Sequence, residues 1–143
     1  MREIRFRGKR VDSGEWVFGD LVQLNDGRRF IVDNKFGACI DGNGNFINTE
    51  APFVNKVNPE TVGQFTGIKD KDKNGIYDGD IVKLCDTNPV IYVVKTILAR
   101  YGYKVMFYYA DDAKPANGCF LDRCEVIGNI WDNADGINPE LLK

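Results

Sequence analysis

Hydrophobic and polar positions alternate along this chain with a period of two, in short runs cut by Gly, Asn and Asp. Such runs are strands joined by tight turns. Residues 2–10 predict a strand with Ile4 and Phe6 on one face and Arg5, Arg7 and Lys9 on the other. Asp12–Glu15 is a turn by composition, Trp16–Phe18 a short bulky run, and Gly19-Asp20 a break before a new strand, Leu21–Leu24. Asn25-Asp26-Gly27 tolerates positive φ and predicts a hairpin returning through Arg28–Asp33. Ala38–Ile40 and Asn45–Asn48 predict another, about the turn Asp41–Gly44. Pro52 and Pro59 stop long elements between residues 49 and 63, with Asn58 capping one helical turn. Strands follow at Gly63–Gly67, Ile81–Leu84, Val90–Leu98 and Tyr101–Tyr109, the last two paired, and one or two more within Phe120–Ile130. Asp111–Gly118 is a loop, Asn138–Leu142 predicts a terminal helical turn, and no amphipathic helix exceeds about two turns.

One unit is written twice. Asp12-Ser-Gly-Glu-Trp-Val-Phe-Gly-Asp-Leu-Val-Gln-Leu24 returns as Asp72-Lys-Asn-Gly-Ile-Tyr-Asp-Gly-Asp-Ile-Val-Lys-Leu84, shifted by 60 residues. Gly19-Asp20 falls on Gly79-Asp80, and Val22 on Val82. In each copy Gly permits a sharp bend, Asp can bond nearby backbone amides, and the following apolar segment enters a core. A Gly-Asp-x-Val entry is common in SH3-like small barrels, an analogy at the level of fold. The expected fold is therefore all-β: duplicated SH3-like small barrels sharing a core, with minor short helical turns. The expected organisation is a single compact unit over 1–143 made of two structural repeats, approximately 1–60 and 61–143.

Composition narrows the chemistry. The 143 residues suit one compact domain or two very small ones, and 43% hydrophobic with 28% charged residues is ordinary for a globular protein. A net charge of -2 gives no global attraction to nucleic acid or anionic lipid. No apolar run approaches the ~18 residues of a membrane span, and the amino terminus lacks a signal-peptide core, so a cytoplasmic location without membrane contact is expected. The chain has no histidine, which excludes Ser-His-Asp triads, Cys-His dyads, His-metal sites and imidazole acid–base chemistry. The four cysteines, at 39, 85, 119 and 124, read as reduced, buried thiols, because the 119/124 spacing is loose for zinc.

The chain also carries Met1-Arg-Glu-Ile-Arg-Phe-Arg7, Gln64-Phe-Thr-Gly-Ile-Lys-Asp-Lys71, Asn74-Gly-Ile-Tyr-Asp-Gly-Asp-Ile-Val82, Val126-Ile-Gly-Asn-Ile130 and Asn138-Pro-Glu-Leu-Leu142, in that order. In this combination it resembles the YopX family of bacteriophage and prophage proteins, across almost its whole length. The resemblance implies an all-β, duplicated barrel-like core and an origin in a phage or prophage, hence a host-cell cytoplasm. It implies no catalytic residue, since the family has no assigned activity. Gly8 and Lys9 depart from the pattern, which often has an aromatic there, and residues 85–125 carry no signature of the family.

Four groups of residues invite a chemical reading. Asp70, Asp72, Asn74 and Asp78 occupy positions 1, 3, 5 and 9 of a calcium-loop pattern, with Gly75 at position 6. Position 12 is Ile81 where a bidentate Glu belongs, and the flanks read as strands, so a polar turn is the favoured reading and no cofactor is expected. Arg5, Arg7 and Lys9, with Arg2 and Arg10 at the strand ends and Arg28 and Arg29 beside them, form a basic stripe that would suit nucleic acid. The ordinary alternative is an edge strand guarded by charge. Tyr101, Tyr103, Val105, Phe107 and Tyr109 share one strand face, suiting core packing or a contact with a partner. Asp111, Asp112, Asp122 and Glu125 lack the spacing of a hydrolytic carboxylate pair. The expected function is a non-catalytic binding or assembly module, not an enzyme, whose partner is an unknown protein or a second copy of itself. The alternative is a nucleic-acid-binding small barrel using the basic strand.

Overall fold

The computed structural model of the chain describes residues 3–33, 43, 54–84, 88–116 and 123–142. Apart from residue 43, the hairpin expected over 38–48 lies outside them. The fold is all-β, and every strand pairing is antiparallel. The chain divides into two compact units, Met1–Gln64 and Phe65–Lys143.

In the first unit β1 (Phe6–Lys9), β2 (Trp16–Gln23), β3 (Arg29–Asp33) and β4 (Val54–Val57) line up as β4-β3-β2-β1. The far side of β1 pairs with Gly63 and Gln64, the first residues of β5 (Gly63–Lys69). The β2–β3 turn is the predicted one: Gly27 sits at φ +96° and the Leu24 amide donates to the Arg28 carbonyl at 3.0 Å. Asn58 caps a 3-10 turn over Pro59–Thr61, its Oδ1 accepting from the Glu60 amide at 3.1 Å.

Strand β1 is covered on both faces, with Arg7 and Gly8 buried and Phe6 and Lys9 half-buried. Ile4 is 68% exposed, whereas Arg7 is 6% exposed. The strand is flanked by β2 and β5 at Phe6 and Arg7, so it is no edge there, and it buries a charged side chain at Arg7. Arginine tolerates this because its aliphatic stem and flat guanidinium pack against an aromatic ring.

In the second unit the remainder of β5 pairs with β6 (Gly75–Tyr77). A separate sheet has the order β10-β7-β8-β9, from β7 (Asp80–Leu84), β8 (Val90–Ala99), β9 (Gly102–Tyr109) and β10 (Glu125–Asn129). Both faces of this sheet are covered. Val82, Tyr92, Val94 and Phe107 join Ile76 and Cys124 in one cluster, while Ile81 and Val93 join Ala110, Ile130 and Leu141 in another. That explains why Val90–Val94 of β8 reads as an unbroken apolar run where a half-buried strand would alternate. The second cluster is closed by the segment after β10, ending in a 3-10 turn at Pro139–Leu142.

Neither sheet closes into a barrel among the described residues. The two copies of the repeat are also built differently. Gly19 lies inside β2, where a Cβ would come within 1.8 Å of the Val32 carbonyl oxygen, and Asp20 and Val22 are exposed. Gly79 lies in the turn between β6 and β7 at φ +87°, with the Trp131 ring 2.4 Å from where its Cβ would stand. Asp80 is buried, its Oδ2 accepting from the Tyr77 amide at 2.8 Å, and Val82 is fully buried. Only the second copy combines a Gly-Asp bend with entry into a core; the first is a continuous strand over a close backbone contact.

Candidate functional site

Several basic residues of the first unit are buried or matched locally. The Arg7 guanidinium lies 4.7 Å from the centre of the Trp16 ring, with the Lys9 ammonium 5.7 Å from it, a cation–π arrangement set by the Lys9–Trp16 register of β1 and β2. Arg10 grips Asp12 with two bonds, Nε at 2.9 Å and Nη2 at 2.7 Å, and Arg28 Nε meets Asp26 at 2.7 Å. The carboxyls of Asp12 and Asp26 are held below the usual range, Asp12 chiefly by the Arg10 side chain and Asp26 chiefly by the Arg28 amide. Arg29 Nη1 donates to the carbonyls of Arg28 (3.1 Å) and Leu24 (3.4 Å). Arg5 faces Glu3 at 3.9 Å. Arg2 is outside the described residues. The stripe is a set of local pairs more than an open cationic track.

The Asp70 loop closes on itself. Asp70 is buried; its Oδ1 accepts from the amides of Asp72 and Asn74, each at 2.9 Å, and its Oδ2 from the Val126 amide at 3.0 Å. Burial pushes its pKa up, but the amides of Val126, Asn74 and Asp72 outweigh this and hold it below the ordinary value. Asp78 Oδ1 accepts from the Thr96 amide at 2.6 Å. Among the described residues no three His, Cys, Asp or Glu side chains gather as a metal site. The carboxylates join strands: Asp70 ties the β5–β6 turn to β10, and Asp78 ties the β6–β7 turn to β8. Of the four acids weighed for hydrolysis, Asp112 caps the Lys114 amide at 2.9 Å, Glu125 lies between Lys71 (3.9 Å) and Lys83 (3.7 Å), and Asp122 is outside the described residues.

The aromatic face of β9 is split along its length. Phe107 is 7% exposed and packs edge-on against Tyr92, with ring centres 5.7 Å apart. Toward the β8–β9 turn the same face emerges: Tyr103 is 75% and Tyr101 93% exposed, and Leu98, opposite Tyr103, is 74% exposed. The cause is length. β7 pairs with β8 only from Val90 to Val93, whereas β8 and β9 stay paired as far as Ala99 and Gly102. The outer end of the hairpin is thus a two-stranded ribbon. It ends in the two-residue turn Arg100-Tyr101, where the guanidinium lies 5.6 Å from the tyrosine ring.

At the other end of β8 and β9 lies an open groove of about 580 Å³. Ile91, Ile127 and Ile137 supply apolar lining, with Asp111 and Asp135 also on its walls.

A family model described as YopX protein matches residues 5–143. The chain belongs to the YopX family. No curated protein matches it. In this YopX chain the matched span contains the basic strand, the Asp70 loop and the hairpin alike, so membership does not choose among them. The three differ in what they present: the Asp70 carboxylate is engaged by backbone amides, and the hairpin tip presents large apolar groups to solvent. The groove escaped sequence reasoning because its walls come from the start of β8, the end of β9, β10 and the 133–137 turn. No local spacing encodes that meeting.

Proposed function

We propose that this YopX-family protein is a non-catalytic binding or assembly module whose contact surface is the tip of the β8–β9 hairpin. The observation that carries the reading is the exposure of Leu98, Tyr101 and Tyr103 on one ribbon beside Arg100. Tyrosine and arginine are enriched where proteins meet, since each offers a rigid apolar body with a polar tip. The absence of histidine and the use of Asp70, Asp78 and Asp80 as amide acceptors support a non-catalytic role. An origin in a phage or prophage and action in the host cytoplasm fit the family resemblance.

The test is affinity capture from a bacterial lysate, with and without nuclease, by the wild type and by a Tyr101→Ser/Tyr103→Ser variant. Capture that survives nuclease and is lost in the variant supports the reading. Capture abolished by nuclease would shift the function to nucleic acid, and capture unchanged in the variant would remove the tip as the contact surface.

A further inference from the structure

The tip and the groove lie at opposite ends of one hairpin. Tyr101 is ten residues beyond Ile91 along β8 and its turn, which at about 3.3 Å per residue is about 30 Å. A tip therefore cannot reach the groove of its own chain.

The two ends are complementary. The tip carries exposed Arg100 and Lys104 beside Leu98, Tyr101 and Tyr103, and no carboxylate pairs with either cation among the described residues. The groove combines isoleucines with Asp111 and Asp135, both exposed and neither ion-paired among the described residues, and no described Lys or Arg lines it. Its volume falls within the range of about 300–1,000 Å³ in which pockets enclose bodies the size of two or three large side chains.

We propose that the groove is a docking site for the β8–β9 tip of a second copy of this chain, with Tyr101 and Leu98 against the isoleucines and Arg100 and Lys104 facing Asp135 and Asp111. This rests on the reading of the tip as a contact surface and names its partner. The contact is heterologous, so copies join head to tail, closing into a ring or extending as a filament according to the rotation between neighbours. One tip in one groove is a small interface, below about 1,200 Å², so each contact is weak singly and a closed ring is stronger than an open chain.

The test is sedimentation velocity on the full chain from about 1 μM to about 1 mM, spanning weak protein contacts. The wild type is expected to associate as concentration rises. Arg100→Glu alone and Asp135→Arg alone each weaken association by about tenfold or more, because like charges then meet. Mixing the two variants restores it, since each tip then finds an opposite charge in the other variant's groove. Both sites are exposed, and circular dichroism verifies that the fold is kept. A wild type that stays monomeric throughout overturns the proposal, as does association in which the variants self-associate as well as the wild type or fail to rescue each other. Where the wild type is monomeric but lysate capture still depends on Tyr101 and Tyr103, the self-docking has failed and the tip reading stands. Where tip-dependent capture is absent too, both have failed.

Discussion

Asp70 shows at single-residue scale how a tempting motif becomes a structural one. A calcium ligand needs free lone pairs facing a shared centre, and this carboxylate uses both oxygens on three backbone amides. Millimolar calcium is expected to leave the melting temperature unchanged; a shift of several degrees that disappears in Asp72→Ala would contradict this. Asp70→Asn places an amide NH₂ where one oxygen now accepts, and should cost about 1–3 kcal/mol in denaturant unfolding. The pH dependence has a definite sign. The folded pKa is depressed, so the stabilisation is complete above the unfolded value of about 3.9 and is lost as pH falls through the folded value. The gap between wild type and Asp70→Asn should accordingly narrow below about pH 4. The sequence revealed the turn at Asp70 because Asp and Asn cap amides locally. It could not reveal the bond to Val126, which spans 56 residues.

The elements read from alternation and β-branching were the ones set by local rules: the β2–β3 turn, the pairing of β8 with β9 and the Asn58-capped turn all follow their sequence signals. Misreadings arose where tertiary neighbours decide burial. Arg7 of β1 is buried with the Trp16 ring of β2 beside it, and the likeness of the two Gly-Asp units concealed different roles for their glycines. Gly79→Ala should cost roughly 2–5 kcal/mol, from positive-φ strain together with a clash on Trp131. Gly14→Ala, at φ +74° in open space, should lose only the strain, about 1–2 kcal/mol. Equal losses in chemical denaturation would show that the Trp131 contact does not constrain the turn. At the hairpin, Tyr101→Ser/Tyr103→Ser should leave stability within about 0.5 kcal/mol of wild type, since exposed side chains far from any core contribute little. A larger loss would mean that the tip is structural and not kept for contact.

On the scale of the whole molecule, the basic residues of the first unit and the apolar hairpin tip of the second suit different partners. The proposed reading places the contact at the hairpin tip and not on the basic residues, of which Arg7 is buried and Arg10 and Arg28 pair with Asp12 and Asp26. Log affinity for single-stranded DNA should accordingly show little dependence on log salt; a steep slope at low ionic strength would reinstate the nucleic-acid reading. Composition could not have distinguished these surfaces, because 19 basic and 21 acidic residues nearly cancel and only the folded chain sorts paired charges from unpaired ones. The central claim is that the molecule meets its partner through the hairpin tip, with the groove of another copy as its seat. The most direct measurement is the change in backbone amide NMR signals on concentrating the full chain. Shifts or broadening concentrated at residues 97–104, 109–111 and 133–137 are predicted. Spectra that do not change, or changes centred on residues 5–10, would contradict the account.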